Sequence, residues 1–451
     1  MVHKFKSGNL FLALDVFSGG VHVLDELSYE LLDFAGENMG QICPESAYKA
    51  LFKYDKSEID ECYAELYSLY DNKMLFTIDD TYEKIAAAMG AAPVKSMCLN
   101  VAHDCNLRCE YCFAAKGDFG QGRMLMPLEV GKKAIDFMIE HSTGRKNLEL
   151  DFFGGEPLMN FDVVKGVVEY ARSIENEHGK NFRFTITTNG LLLNDEIIDY
   201  INKEMFNVVL SIDGRPEVND RMRVFQNGKG CYDMIIPKFK NLVAKRGDKN
   251  YYVRGTFTKE NLDFTNDVLH LYKSGFDQIS VEPVVCDETL PYALNFDDIP
   301  VVLNEYDKLA NEIVKIKKSG KHINFFHFML DLEAGPCAIK RLRGCSAGNE
   351  YIAITPEGDI YPCHQFVGVN EFKMGNLNDG TFDNDMKKDF SQINVYKKED
   401  CKNCFAKFFC SGGCTANNYF YANGVYNVHK TSCEFQRKRL ECSIAIQAAL
   451  A

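Results

Sequence analysis

The stretch Cys105-Asn-Leu-Arg-Cys109-Glu-Tyr-Cys112 directly follows a predicted strand, Met97–Val101. Three thiolates on one loop form a soft ligand set that suits iron–sulfur chemistry. Three ligands for a four-iron cluster leave one iron open to an exogenous ligand, which predicts a catalytic site. The alternative is a zinc knuckle that lacks its fourth ligand. His103 is the nearest histidine, but it is too close in sequence for the usual zinc spacing.

Outward from this loop, strand and helix patterns alternate from residue 96 to residue 325. Amphipathic stretches such as Leu128–His141 and Phe161–Glu175 separate apolar segments of strand length. This alternation predicts β-α units with a parallel sheet, and six units favour a partial (β/α)6 TIM-like barrel over an open sheet. The six strands are predicted at Met97–Val101, Leu148–Phe153, Arg183–Thr188, Val208–Ile212, Val253–Phe257 and Ile279–Val281.

Residues 1–85 form a separate N-terminal unit. Two strands joined by a glycine turn, Phe11–Phe17 and Val21–Leu24, precede helical segments, and Phe76-Thr77 is predicted to be a final short strand. The order resembles a winged helix-turn-helix, although a small α+β cap is equally compatible. Residues 1–84 contain 7 basic and 16 acidic residues, which argues against DNA binding. The hairpin edge suits an added peptide strand instead. The small residues of 86–95 predict a linker.

The chain of 451 residues has 17 cysteines and a net charge of −13. Such acidity repels nucleic acid. No apolar run reaches the length of a membrane span, and the N-terminus has no signal-peptide core, so we expect a cytoplasmic protein without membrane contact. Cytosolic thiols are reduced, so many cysteines indicate metal binding or catalysis rather than disulfides.

A second group of cysteines lies in a predicted C-terminal domain, residues 326–451. Its centre reads Cys401-x2-Cys404-x5-Cys410-x3-Cys414, with Cys345 and Cys363 before it and Cys433 after it. Short strands and dense cysteines indicate a domain held together by metal more than by a large core. A pair of zinc ribbons is the alternative to iron–sulfur clusters.

The first three cysteines resemble the motif of the radical S-adenosylmethionine (SAM) superfamily, and further motifs follow at successive strand ends, where barrel active sites lie. Gly154-Gly155-Glu156 resembles the segment that contacts the SAM amino group. A carboxylate suits that contact because it pairs with an ammonium. Ser211-Ile-Asp213 resembles the segment near its ribose and methionine part. The resemblance implies catalytic cluster ligands Cys105, Cys109 and Cys112, and SAM contacts from Tyr111, Gly154, Gly155, Glu156, Asn189, Ser211, Asp213 and Arg223.

The C-terminal cysteines resemble the SPASM domain, which carries two auxiliary four-iron clusters. By that resemblance the outer cluster is held by Cys401, Cys404, Cys410 and Cys433, and the inner one by Cys345, Cys363 and Cys414. Either Cys337 is the fourth ligand of the inner cluster, or one iron of that cluster stays open. Sulfatase maturases place a catalytic aspartate where this chain has His364, which lowers the expectation of that activity.

Domain order and cysteine spacing together resemble the maturases that form thioether crosslinks in SCIFF peptides, which are small and cysteine-rich. The resemblance implies a radical SAM enzyme with SAM and three four-iron clusters. It also implies a Cys-rich precursor peptide whose leader is bound by residues 1–85, and an electron donor such as flavodoxin or ferredoxin. The alternatives are another SPASM peptide modification, either carbon–carbon crosslinking or formylglycine formation, and a non-enzymatic iron–sulfur electron carrier or sensor.

Overall fold

The computed structural model describes residues 1–79, 81–332 and 338–451. The chain begins with a three-stranded antiparallel sheet in the order β1-β2-β3, followed by helices. The helix α3 begins with a capping box, in which Asp55 and Glu58 each satisfy the other's backbone amide. The elements of this unit are β1 (Val2–Ser7), β2 (Leu10–Asp15), β3 (Val21–Leu24), α1 (Glu26–Leu31), α2 (Glu45–Ala50), α3 (Lys56–Asp71) and α4 (Tyr82–Ala88).

The sequence prediction missed the strand β1 and placed a strand wrongly at Phe76-Thr77. The amide of Thr77 donates to the carboxylate of Asp15 at 3.3 Å, and its carbonyl accepts from the N-terminus of Met1. The segment is thus fixed by a side chain and a chain end rather than by a strand ladder. The predicted linker also differs, because Ala86 lies in α4 and both Ala86 and Val94 are buried.

Six parallel strands, in the order β4-β6-β7-β8-β9-β10, form the barrel, and helices cover their outer face. The predicted α/β barrel and its six strands are confirmed, with ends that differ by a few residues. The elements are β4 (Ser96–His103), β5 (Met124–Leu125), α5 (Leu128–His141), β6 (Asn147–Gly154), α6 (Phe161–Ile174), β7 (Asn181–Thr188), α7 (Asp195–Glu204), β8 (Met205–Ser211), α8 (Pro216–Met222), α9 (Tyr232–Arg246), β9 (Tyr251–Phe257), α10 (Phe264–Lys273), β10 (Gln278–Pro283), α11 (Ile299–Lys318) and β11 (Asn324–Phe325).

The C-terminal part continues the same sheet, because β12 pairs in parallel with β4 on the side away from β6. Antiparallel strands β13, β14 and β15 then extend the sheet outward. The elements are α12 (Ala338–Arg343), β12 (Tyr351–Ile354), β13 (Asp359–Tyr361), β14 (Gly375–Asn376), β15 (Thr381–Phe382), α13 (Asn384–Ser391), α14 (Glu399–Lys402), α15 (Lys407–Cys410), α16 (Thr415–Ala422) and α17 (Lys430–Leu450).

Two hydrophobic contacts fix the arrangement of these parts. The long helix α17 packs along α11 of the barrel. A separate apolar core joins Phe5, Leu12 and Leu14 of the N-terminal sheet to Phe408 and Ile444 of the C-terminal part. The N-terminal unit therefore rests on the cysteine-rich domain. Among the described residues, no helix has the length and apolar character needed to cross a lipid bilayer.

Candidate functional site

A cavity of about 410 Å³ lies at the carboxyl ends of the barrel strands and is closed by the cysteine-rich domain. Cys105, Cys109 and Cys112 form part of its barrel side. Cys410, Cys414 and Cys433 are among the residues that line its other side. The structure thus brings the cysteines of both sequence motifs to one enclosed space, as expected for strand-end loops of a barrel.

The first cysteine loop is fixed by backbone contacts with the segment after α8. The amide of Arg108 donates to the carbonyl of Val224 at 2.7 Å, and that of Glu110 donates to Met222 at 2.9 Å. The amide of Leu107 donates to Cys105 Sγ at 3.4 Å. These contacts hold the loop against the strand ends, with its thiols directed to the cavity.

The glycines after β6 permit close backbone contact with this loop. A Cβ atom on Gly155 would lie 2.2 Å from the carbonyl oxygen of Asp104, and one on Gly154 would lie 2.3 Å from that of Ala102. Gly154 also has φ = +122°, which strains any residue with a side chain. Both glycines line the cavity, so this wall is bare backbone that a ligand can approach.

Glu156 follows these glycines but lies behind the cavity wall. Its carboxylate accepts from the amides of Leu158 and Asn189 at 3.0 and 2.8 Å, and from the hydroxyl of Thr188 at 2.7 Å. Burial nevertheless raises the pKa of Glu156 to about 7. The structure shows Glu156 joining two strand ends, whereas Asn189 lines the cavity itself.

Tyr111, Asp213 and Arg223 form a buried group beside the cysteine loop. The Tyr111 hydroxyl donates to the Asp213 carboxylate at 2.7–2.8 Å and accepts from Arg223 Nη1 at 3.0 Å. Burial raises the pKa of Asp213 to about 6, against the opposing charge of Arg223. Tyr111, Arg223 and Ser211 line the cavity, whereas Asp213 supports them from behind.

This part of the cavity fits a sulfonium amino acid such as SAM. Arg223 is buried and lines the cavity, so its positive charge can pair with a carboxylate bound there. Its Nε atom has no hydrogen-bond partner among the described residues. The bare backbone at Gly154 and Gly155 leaves room for the ligand, and the three thiols of the first loop line the same cavity. The residues present therefore suit both the ligand and the cluster that the first motif implies.

The remaining cysteines form two groups in the C-terminal part. Cys401, Cys404, Cys410 and Cys433 are close enough that the charge of one thiolate raises the pKa of another, and the same holds for Cys345, Cys363 and Cys414. These are the two predicted ligand sets. Cys337, the doubtful fourth inner ligand, lies outside the described residues.

A tight turn brings the two groups together. Ser411, Gly412 and Gly413 all have positive φ angles between 57° and 83°, a conformation that glycine adopts without strain. The turn places Cys410 of one group and Cys414 of the other on the same cavity wall. The amide of Gln365 donates to Cys414 Sγ at 3.7 Å.

Lys398 is buried between these two groups of thiols, with 2% of its surface exposed. Its ammonium donates to the carbonyl of Gly412 at 2.7 Å. Burial lowers the pKa of Lys398, and the charges of thiolates from both groups, Cys401, Cys410, Cys414 and Cys433, oppose that shift. A buried cation is costly unless an anion compensates it. Iron–sulfur clusters with thiolate ligands would supply that negative charge.

In the part of the chain that the structure describes, no three His, Cys, Asp or Glu side chains converge closely enough to hold a single metal ion. His103 is fully buried, its ring lies 4.8 Å from that of Phe119, and it does not join the cysteines of the loop.

Several cavity residues were not found from the sequence. Arg254 on β9 and Glu282 on β10 form a two-pronged ion pair at 3.0–3.1 Å. Burial raises the pKa of Glu282, but the charge of Arg254 outweighs it and lowers that pKa to about 2. Arg439 and Gln436 reach the cavity from α17. No short motif contains these residues, because their proximity arises only from the folded barrel.

His364 lies in the same cavity, next to Cys363 in the chain. Its Nδ1 is 3.0 Å from the Tyr351 hydroxyl, and its ring contacts those of Phe113 and Phe153. Burial, together with the charge of Arg254, lowers the pKa of His364 to about 4. The imidazole is thus held neutral among aromatic rings.

Comparison with known proteins identifies two regions of the chain. Residues 99–268 match the Radical SAM superfamily, and residues 345–405 match SPASM, an iron–sulfur cluster-binding domain. The fold is therefore α/β with a radical SAM core and a C-terminal SPASM domain. These domains indicate SAM and multiple four-iron clusters as cofactors.

Similar proteins cover most of the chain at low identity. A cysteine-type anaerobic sulfatase-maturating enzyme of Clostridium novyi is 25% identical over 70% of this chain and 86% of its own length. The radical SAM cyclopropyl synthase TigE of Paramaledivibacter caminithermalis is 23% identical over 96% and 92%. Among solved structures, anSMEcpe with bound AdoMet has a TM-score of 0.65 at 18% identity and covers 79% of this chain and 98% of its own. The structure of Streptococcus suis SuiB bound to S-adenosylmethionine has a TM-score of 0.56 at 18% identity and covers 94% of this chain and 99% of its own.

The position of Lys398 leads to a testable effect on the clusters. We expect Lys398→Met to lower the midpoint potential of at least one auxiliary cluster by on the order of 50 mV, because a nearby positive charge stabilises the reduced, more negative state. Redox titration followed by electron paramagnetic resonance measures this shift. Lys397→Met removes the same charge from the exposed neighbouring residue and should leave the potentials unchanged. Equal potentials in the Lys398 variant and the wild type would contradict the expectation.

Proposed function

We propose that this chain is a radical SAM enzyme that forms intramolecular thioether crosslinks in a Cys-rich precursor peptide. The bond would join a cysteine sulfur to a carbon of an acceptor residue. The proposal includes three four-iron clusters, one on Cys105, Cys109 and Cys112 and two on the SPASM cysteines. A solved structure of anSMEcpe contains bound AdoMet and the Cp18Cys peptide, which supports a peptide substrate for this chain.

One observation carries the proposal: Cys414 of the inner group and the first cysteine loop line the same cavity. A thioether requires a sulfur and an activated carbon at one place. We take Cys345, Cys363 and Cys414 as the protein ligands of the inner cluster, which leaves one iron open to a substrate thiol; Cys337 as a fourth ligand would close that iron. Metal coordination would keep that sulfur deprotonated and positioned.

Each part of the cavity has a distinct task in this reaction. When bound, SAM and the first cluster supply a carbon-centred radical that removes one hydrogen atom from the substrate. Arg223 and the backbone at Gly154 and Gly155 would hold the SAM amino acid, with Tyr111 fixed between Arg223 and Asp213. The substrate thiol would lose its proton, its sulfur would bond the carbon radical, and the remaining electron would pass to an auxiliary cluster held by the SPASM cysteines. The peptide thus loses two hydrogens for each bond.

The N-terminal unit supports recognition of a peptide leader. Strand β1 is covered on one side, where His3 contacts Glu441 and stacks on Phe405. Strand β3 stands at the opposite edge of the sheet, and Val23 on it is 58% exposed. An extended leader can add to such an edge through main-chain hydrogen bonds. The acidic surface of this unit favours a basic leader.

The test is an anaerobic reaction of the reconstituted protein with SAM, a reductant such as dithionite, and a Cys-rich peptide encoded beside its gene. We expect 5′-deoxyadenosine and a peptide that loses two hydrogens and one free thiol for each crosslink. Liquid chromatography, mass spectrometry and thiol alkylation measure these quantities. About twelve irons per chain are expected from three four-iron clusters.

The other candidate activities give different products in the same experiment. A carbon–carbon crosslink removes two hydrogens but leaves every thiol open to alkylation. Formylglycine formation removes the cysteine sulfur from the peptide. An electron carrier or sensor yields no 5′-deoxyadenosine, and stoichiometric zinc in place of iron would overturn the cluster assignment.

A further inference from the structure

Arg439 of α17 lies where two cavities meet. The active-site cavity and a second cavity of about 410 Å³ share Cys410, Gln436 and Arg439 as lining residues. The second cavity is lined in part by apolar side chains, including those of Leu330, Phe409 and Leu440. Arg439 stands at the junction of the two spaces.

The guanidinium of Arg439 is buried and held in place from one side only. Arg439 is 5% exposed, its Nε donates to the Tyr306 hydroxyl at 2.9 Å, and its Cζ lies 5.2 Å from the centre of the Tyr306 ring. The buried Nη2 atom has no hydrogen-bond partner among the described residues. Because the Arg439 side chain lines both cavities, its guanidinium is a fixed positive charge at the cavity junction.

The charges of Glu282 and Arg439 attract each other, but both oxygens of Glu282 accept from Arg254. Asp331 also lines the second cavity. On α17 itself, Lys430, Arg437 and Lys438 form ion pairs with Asp400, Glu434 and Asp307, whereas Arg439 has no ion pair in the described part of the chain. A buried cation without a bound anion is unfavourable. This combination of burial, a fixed orientation and an unpartnered donor is typical of a site for an anionic ligand.

We propose that Arg439 binds a carboxylate of the substrate peptide at the junction of the two cavities. The proposal rests on the proposed function and specifies its substrate. Gln436, three positions earlier on α17, lines both cavities and offers an amide donor on the same helix face. The carboxylate belongs either to the peptide C-terminus or to an acidic side chain. Its fixed position would set which residue of the peptide lies beside the first cysteine loop.

The test measures binding without turnover, so it is independent of which product the enzyme forms. The probes are three acetylated alanine peptides, each with one cysteine. The first has its single carboxylate at the C-terminus. The second has an amidated C-terminus and its single carboxylate on an aspartate side chain, and the third has an amidated C-terminus and no carboxylate. Isothermal titration of the anaerobic holoenzyme with SAM gives their dissociation constants. We expect a carboxylate-bearing peptide to bind about tenfold more tightly than the neutral one, since a charged hydrogen bond is strong. The two charged peptides distinguish the two sources.

Variants then assign the preference to Arg439. Arg439→Gln should remove the preference, whereas Lys438→Gln, which removes a cation of the same helix that pairs with Asp307, should retain it. Tyr306→Phe should weaken it, because the guanidinium loses its anchor. Iron content and thermal unfolding show whether each variant is folded and loaded.

Two outcomes overturn the proposal. One is equal binding, or no binding, of all three peptides by the wild-type protein, which needs no variant. The other is an Arg439→Gln variant that keeps the carboxylate preference but shifts the potential of a cluster. That result would mean that Arg439 interacts with the charge of a cluster and not with the peptide carboxylate.

Discussion

The Cys109→Ala variant is expected to lose SAM cleavage by more than about a thousandfold, because the uncatalysed reaction is negligible on this scale. Cys109 lines the active-site cavity beside Arg223, and the loop provides three thiols for one cluster. With two thiols the cluster is not retained, and no iron remains open to SAM. Formation of 5′-deoxyadenosine measures the loss, and total iron should fall by about one third as the two auxiliary clusters persist.

Cys286→Ala is the matched control for this variant. Cys286 is half-buried like Cys109 but belongs to neither cysteine motif. Its replacement should leave both iron content and SAM cleavage at wild-type values. If Cys109→Ala still cleaves SAM at a substantial rate, the first cysteine loop does not hold the catalytic cluster.

The Cys414→Ala variant is expected to separate SAM cleavage from crosslinking. Cys414 belongs to the inner group and lines the cavity. Its loss should leave 5′-deoxyadenosine formation within about threefold of the wild type but lower the yield of crosslinked peptide by about a hundredfold, because the sulfur is no longer positioned. The ratio of crosslink to 5′-deoxyadenosine is the measured quantity.

Cys98→Ala is the control for Cys414→Ala, because Cys98 lies beside the inner group of cysteines. Cys98 is buried on the barrel strand β4, and its thiol lies near Cys363. Because Cys98 belongs to neither motif, its replacement should keep the ratio of crosslink to 5′-deoxyadenosine unchanged. A wild-type ratio in Cys414→Ala would show that crosslinking does not depend on the inner group.

The sequence predicted the barrel well because each of its strands is a short apolar run between amphipathic helices. The helix at Leu128–His141 has the predicted bounds, since its apolar positions repeat at helical spacing. The first cysteine loop is local in sequence, so its three thiols could be predicted to lie together. The C-terminal cysteines interleave along the chain, and their division into two groups was predicted only from the resemblance to the SPASM domain. The short segment at Phe76-Thr77 could not, because contacts with Asp15 and Met1 decide its conformation.

The opposite side of the cavity shows the limit of sequence patterns. Arg254, Glu282 and Arg439 lie on two strands and a distant helix, and no motif links them. In the sequence Arg439 is one of three consecutive basic residues on α17. Only packing of α17 against α11 buries Arg439 and leaves Arg437 and Lys438 to pair with acidic residues.

The apolar core shared by Phe5, Leu12 and Leu14 with Phe408 and Ile444 has a consequence for protein engineering. A leader-binding unit from another enzyme cannot be exchanged at residue 85 as an independent module, because the cut exposes apolar surface on both pieces. A functional chimera must carry the matching face of the SPASM domain with the new unit. Retargeting this scaffold to foreign peptides is therefore a problem of transplanting an interface rather than of joining domains by a linker.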